Sequence, residues 1–212
     1  MDNKRITSPK LKRLFDVFFS LVFLIITSPL SVLILLAIFI EHIGRGCWRS
    51  PLFYREERIS QGKKFNLIKF NIFTAEIFYK LNKSQKIINL KEIERDRKNL
   101  VFIGKIIQRV YLDELPQLFN VLAGDLSFVG PRPVNPDIYR DILARGMKTK
   151  SLIKAGLTGP YQAHKGESGV NQDKLDSSYI NFCRNNPGWK IVFLDIKIIL
   201  RTFLIIFRAQ GI

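Results

Sequence analysis

The sequence predicts an α+β protein, mainly helical, in which a bent membrane-inserted helix precedes a small domain of amphipathic helices and short strands. Three observations lead there. An uncharged run extends from Val17 to Ile40 and is broken by Ser28-Pro29. Leu52–Tyr54 and Phe65–Phe73 are short, aromatic-containing stretches on either side of a basic loop, as strands are. Apolar residues recur at helical spacing around residues 115–122, 137–147 and 189–208. Charge returns after the apolar run, which divides the chain into a membrane hairpin, residues 1–46, and a water-facing domain, residues 47–212.

At 212 residues the chain can bury one sizeable core. Its net charge of +16 calls for an anionic partner: nucleic acid, anionic lipid or a phosphorylated substrate. A hydrophobic share of 47% argues against a disordered basic tail. No basic–aromatic reading motif appears and the charge flanks apolar segments, so nucleic acid is set aside. Cys47 and Cys183 lack metal-like spacing and read as reduced thiols of a cytosol-facing protein. His42 and His164 are too isolated for a metal site or a general base.

The apolar run is long enough to cross a bilayer, for which roughly 20 residues suffice. Lys10, Lys12 and Arg13 precede it, and Arg45, Arg49, Arg55 and Arg58 follow it. Positive charge on both flanks asks for both ends in the cytoplasm. A helix bent back at Ser28-Pro29 meets that demand, because proline removes a backbone hydrogen bond and crowds the preceding turn. Ser28 is placed to satisfy a carbonyl that the proline frees. The alternative is an ordinary spanning anchor with a proline kink.

Beyond the strands, residues 74–100 are highly charged around a narrow stripe of Ile87, Ile88, Leu90 and Ile93, a solvated helix or loop with no assigned chemistry. The chain then reaches Leu112-Asp-Glu-Leu-Pro-Gln-Leu-Phe-Asn-Val-Leu122. Asp113 suits an N-cap, Pro116 a first turn and Gly124 a stop, which predicts a short helix starting at the acid pair. A helix N-terminus favours a phosphate and an ionised carboxylate. Asp113 and Glu114 point about 100° apart and can take different jobs, one attacking and the other holding a metal. Gly130-Pro-Arg-Pro133 is a rigid turn fixing Arg132, a residue suited to bidentate phosphate binding. Together these suggest phosphoryl transfer. The plainer alternative is a cap at Asp113 and a solvated acid at Glu114.

Lys154-Ala-Gly-Leu-Thr-Gly-Pro-Tyr-Gln162 combines two glycines with Thr158 and Gln162, a tight turn able to offer amides and side chains to a ligand. In the last apolar stretch Lys190, Lys197, Arg201 and Arg208 fall within about 40° of one helix face. Such a helix suits the membrane–water boundary.

Leu112-Asp-Glu-Leu-Pro-Gln-Leu-Phe-Asn-Val-Leu122 and Gly124-Asp-Leu-Ser-Phe-Val-Gly-Pro-Arg-Pro133 resemble the core of the bacterial sugar transferase family, the small monotopic phosphoglycosyl transferases. The Lys12-Arg-Leu-Phe-Asp16 entry and the Ser28-Pro29 bend resemble the family's re-entrant helix. The likeness extends to Asp195 and reads as the minimal catalytic domain, without extra N-terminal membrane helices.

The resemblance implies transfer of a sugar-1-phosphate from a UDP-sugar to a polyprenyl phosphate such as undecaprenyl phosphate, starting a surface glycan: O-antigen, capsule or exopolysaccharide. It implies Asp113 as nucleophile, Glu114 as ligand of Mg²⁺ with Asp113, and Arg132 as phosphate binder. Lys69, Arg109, Thr158, Gln162 and Asp195 are carried over as substrate-site residues. The implied location is the cytoplasmic face of a bacterial inner membrane, and a homo-oligomer is allowed. Ser60, Asn71, Gln108 and Ala155 depart from the family pattern, and His164-Lys-Gly-Glu167 replaces its usual Gly-Arg. The competing reading is a non-catalytic basic scaffold binding anionic lipid, which leaves the acid pair unexplained.

Overall fold

The computed structural model describes residues 5–83 and 90–207. Ile87 and Ile88 of the charged stretch, and Arg208 of the basic stripe, lie outside them. The class is as expected, α+β and mainly helical. Contacts group the chain into two compact units: residues 1–23, 56–67 and 117–212 form the first, and residues 24–55 and 68–116 the second.

Helix α1, Lys10–Gly44, contains Pro29 and continues through it. Pro29 has no N–H to give the carbonyl of Ile25, four residues back. The Ser28 hydroxyl donates to that carbonyl at 2.8 Å instead. The expected break is therefore a proline site inside one helix with its orphaned acceptor satisfied. Strands β1, Phe53–Ser60, and β2, Lys63–Phe70, pair as a hairpin. Gln61 and Gly62 both take positive φ, 50° and 72°, as a two-residue turn matched to strand twist requires.

In the second unit Ile38, Phe73, Leu100 and Ile107 form the core with Tyr54, Phe70 and Phe78. Around it lie α2, Ala75–Lys83, α3, Leu90–Arg95, and α4, Phe102–Arg109. The Glu41 carboxylate accepts from the Phe102 and Ile103 amides at 2.6 and 3.0 Å and so caps α4. Asn71 is fully buried. Its Nδ2 donates to the Pro51 carbonyl at 2.8 Å and its Oδ1 accepts from the Phe73 amide at 3.1 Å. The asparagine that replaces the family's arginine is thus an interior knot.

In the first unit β3, Ser127–Val129, and β4, Gly156–Thr158, pair in parallel, with Ser127 opposite Gly156 and Val129 opposite Thr158. Leu126, Val121, Leu67 and Ala155 pack beneath them. The unit also holds α5, Gln117–Ala123, α6, Pro136–Ala144, α7, Thr149–Leu152, α8, Gln172–Asn185, and α9, Gly188–Phe207. Ser60, another family departure, donates to the Asp125 carbonyl at 2.6 Å and accepts from the Ala155 amide at 3.0 Å.

A buried ion cluster fastens the base of α1 into this unit. Lys12 Nζ lies 2.5 Å from Asp16 Oδ1 and 2.7 Å from Asp195 Oδ2. Asp16 also accepts from the Ser127 hydroxyl at 2.8 Å and the Phe128 amide at 3.1 Å. Arg13 donates to the carbonyls of Val121 and Leu122 at 2.7 and 2.8 Å, capping the end of α5. The Lys-Arg-x-Phe-Asp entry is in this sense a docking motif.

Candidate active site

The acid pair does not open an α-helix. Leu112–Glu114 form a single 3₁₀ turn, and α5 begins at Gln117. Pro116 explains the difference. In an α-helix its N–H would reach the Leu112 carbonyl, but proline has none. The Leu115 amide donates to that carbonyl instead, at 3.3 Å, which tightens the turn. Tyr111, just before it, sits in the left-handed region at φ 59°, a conformation that costs a non-glycine residue energy. The turn is therefore held in shape by its surroundings, as α4 packs against it.

This geometry places Asp113 inside and Glu114 at the edge. Asp113 is 4% exposed, and Glu114 is half-buried. Lys69, from the end of β2, is buried beside them with Nζ 3.7 Å from Glu114 Oε1. Burial raises the Asp113 carboxyl to about 7, against the pull of the Lys69 cation, and the charges of Glu114 and Glu94 push the same way as burial. A carboxyl so placed is poised near neutrality, the range that suits a reacting group. Glu94 lies in the charged stretch to which the sequence assigned no chemistry. No local pattern marks it, because its relation to Asp113 is made by folding. Arg109 is exposed in the last turn of α4.

The other expected site residues belong to the first unit. The Gly130–Pro133 turn carrying Arg132 is tied to β4: the Gly130 amide donates to the Thr158 carbonyl at 2.9 Å, and the Gly156 amide to the Pro131 carbonyl at 3.0 Å. At Gly159 a Cβ would stand 1.9 Å from the Gly130 carbonyl oxygen, so only glycine fits. Thr158 turns its hydroxyl onto that of Thr202 in α9, at 2.8 Å. Gln162 keeps a buried Oε1 with no hydrogen-bond partner.

Asp195 lies in the interior of the first unit. It is fully buried, bound to Lys12 and accepting from the Tyr179 hydroxyl at 2.8 Å. Burial raises its carboxyl to about 6 although Lys12 and Tyr179 oppose the rise. Its carboxylate is used internally, by the cluster that docks α1.

Two adjacent carboxylates suit a hard divalent cation. Among the described residues no group of three or more His, Cys, Asp or Glu side chains is arranged to hold a metal. Asp113 and Glu114 are the residues that could hold such a cation, with water and phosphate oxygens completing its shell.

A sequence model of the family described as "Bacterial sugar transferase" matches residues 7–209. The chain is 34% identical over 206 residues to "Uncharacterized sugar transferase EpsL" of Bacillus subtilis (strain 168), covering 95% of this chain and 90% of that protein. It is 32% identical to "Undecaprenyl-phosphate galactose phosphotransferase" of Salmonella typhimurium, covering 95% of this chain and 41% of that protein. It is 31% identical to "UDP-glucose:undecaprenyl-phosphate glucose-1-phosphate transferase" of Klebsiella pneumoniae, covering 93% of this chain and 40% of that protein. The chain thus spans nearly the whole of one relative and about two-fifths of the other two. With a match to the family along almost its full length and an acid pair folded beside a buried lysine, this chain belongs to the bacterial sugar transferase family.

Proposed function

We propose that the protein transfers a sugar-1-phosphate from a UDP-sugar to a polyprenyl phosphate, in two steps on Asp113, and so begins a surface glycan. The observation that carries this reading is the buried Asp113 beside the Lys69–Glu114 pair. The names of the Salmonella and Klebsiella relatives give the substrate class.

In the first step an Asp113 carboxylate oxygen attacks the donor's β-phosphorus. The bond from that phosphorus to the bridging oxygen breaks, and UMP leaves with the electron pair. In the second, a phosphate oxygen of the lipid attacks the same phosphorus, the aspartyl bond breaks, and the carboxylate is restored. Splitting the transfer lets two bulky anions occupy the site in turn. Glu114 and Asp113 would hold Mg²⁺, whose charge offsets that of the phosphates. Lys69 holds Glu114 in place, and Arg132 and Arg109 supply further cations to phosphate. The direct test is UMP release across a panel of UDP-sugars with a polyprenyl phosphate acceptor. Release from none of them rejects the reading. Glu114→Ala is expected to weaken Mg²⁺-dependent thermal stabilisation by UDP, and unchanged stabilisation would remove Glu114 from the metal site.

The membrane placement is supported by the length and apolar character of α1. Among the described helices it is long and apolar enough to cross a bilayer, and Ile25, Ile26, Leu33 and Ile40 are exposed along it. With basic residues at both ends, the helix re-enters the cytoplasmic leaflet and leaves the dyad on the nucleotide side. Cys47, three residues beyond α1, reports this directly. A membrane-impermeant maleimide is expected to label it in inverted vesicles and not in intact spheroplasts. The reverse pattern indicates a spanning helix.

A further inference from the structure

Along α9 and the loop after His164 runs an open groove of about 550 Å³, its walls including Lys165, Glu167, Lys197, Leu200, Arg201 and Leu204. All its lining residues belong to the first unit. Three cations face one carboxylate. Arg201 pairs with Glu167, and both side chains are about half exposed, 49% and 46%. Such a water-screened pair is weak and readily exchanged for a stronger anion. Lys197 Nζ lies 4.5 Å from the centre of the Phe193 ring.

Leu200 and Leu204 alternate with Lys197 and Arg201 on the same face of α9. Leu200 and Leu204 are 60% and 56% exposed. Next to Leu204, Phe203 stacks on Phe23 of α1, with ring centres 6.0 Å apart and planes 15° from parallel. Phe23 lies inside the uncharged run from Val17 to Ile40, so the Phe203–Phe23 stack joins α9 to the apolar part of α1. Cations interleaved with exposed leucines on one helix face match a ligand that combines a phosphate with long chains.

We propose that this groove binds the phosphate headgroup of an anionic membrane phospholipid, whose acyl chains lie along Leu200 and Leu204. The inference rests on the membrane placement given above. Neither Asp113 nor Glu114 lines the groove. The bound headgroup braces α9, to which the Gly156–Gln162 turn is fastened through Thr158 and Thr202.

The test is native mass spectrometry of the full-length protein in mild detergent, with phosphatidylglycerol or phosphatidylcholine added at equal concentration. Phosphatidylglycerol adducts are expected to dominate. The double variant Lys197→Gln, Arg201→Gln is expected to bind phosphatidylglycerol roughly 25-fold less, at about fivefold for each cation near a headgroup. Lys190→Gln, on the same helix but beside Trp189 and outside the groove, is expected to retain it. The charge-keeping Lys197→Arg, Arg201→Lys pair is also expected to retain it, which separates lost charge from lost folding. Equal adducts with the two lipids overturn the proposal, as does equal loss in the Lys190 variant. Displacement of phosphatidylglycerol by an equal concentration of polyprenyl phosphate also overturns it, by assigning the groove to the acceptor. UMP release, read on the same preparations, and Cys47 labelling, read in inverted vesicles and spheroplasts, report the enzymatic and membrane readings separately.

Discussion

Asp113→Asn is expected to abolish UMP release, by on the order of 10³-fold or more, while raising the melting temperature at neutral pH. The two effects have one cause. Asn keeps the shape of the side chain but cannot form the aspartyl bond. It also removes a charge that the fold disfavours. Unfolded, an aspartate releases its proton near pH 4. Folded, burial holds the Asp113 proton until about 7. Between these values the native state binds more protons than the unfolded state, so its stability falls as pH rises from about 4 to about 7 and is then level. The variant lacks that loss, and its advantage should grow as pH rises from about 4 and be complete above about 7. Activity in the native enzyme should move the opposite way, rising as the carboxylate forms. A less stable Asp113→Asn would instead mark a structural aspartate.

Lys12→Met is expected to cost about 3–5 kcal/mol of stability, because it leaves two buried aspartates without their cation. Asp16 and Asp195 both lie within 2.7 Å of Lys12 Nζ. The check is chemical or thermal unfolding, with Lys12→Met, Asp195→Asn as the companion variant. Removing one of the stranded charges should recover part of the loss. UMP release per folded molecule is expected to change little, and a large loss would place the cluster in the substrate site. A loss below about 1 kcal/mol would show that the cluster is water-accessible and weak.

These variants also show which parts of the molecule were legible in the sequence. Local features were. The apolar run, the proline inside it, the serine beside that proline and the glycine turns are each decided by neighbours a few residues away. The local shape of the acid pair was not legible. The expected helix start gave way to a 3₁₀ turn because Pro116 withholds the hydrogen bond that Leu112 would need. Asn71 and Ser60 read as departures from a family pattern and prove to be interior hydrogen-bonding residues. Long-range contacts were not legible. Lys12 and Asp195 meet across nearly the whole chain, and nothing in the stretch around either residue announces the other. The same holds for Glu94 and Lys69, whose charges reach Asp113 only after folding.

The covalent step is tested most directly by mass spectrometry of the protein incubated with its UDP-sugar and Mg²⁺ in the absence of lipid acceptor. The account predicts UMP in solution and a phosphosugar mass on the peptide that contains Asp113, lost when polyprenyl phosphate is added. UMP release that requires the acceptor, with no mass gained on that peptide, would mean that the sugar phosphate passes straight from nucleotide to lipid and would contradict it.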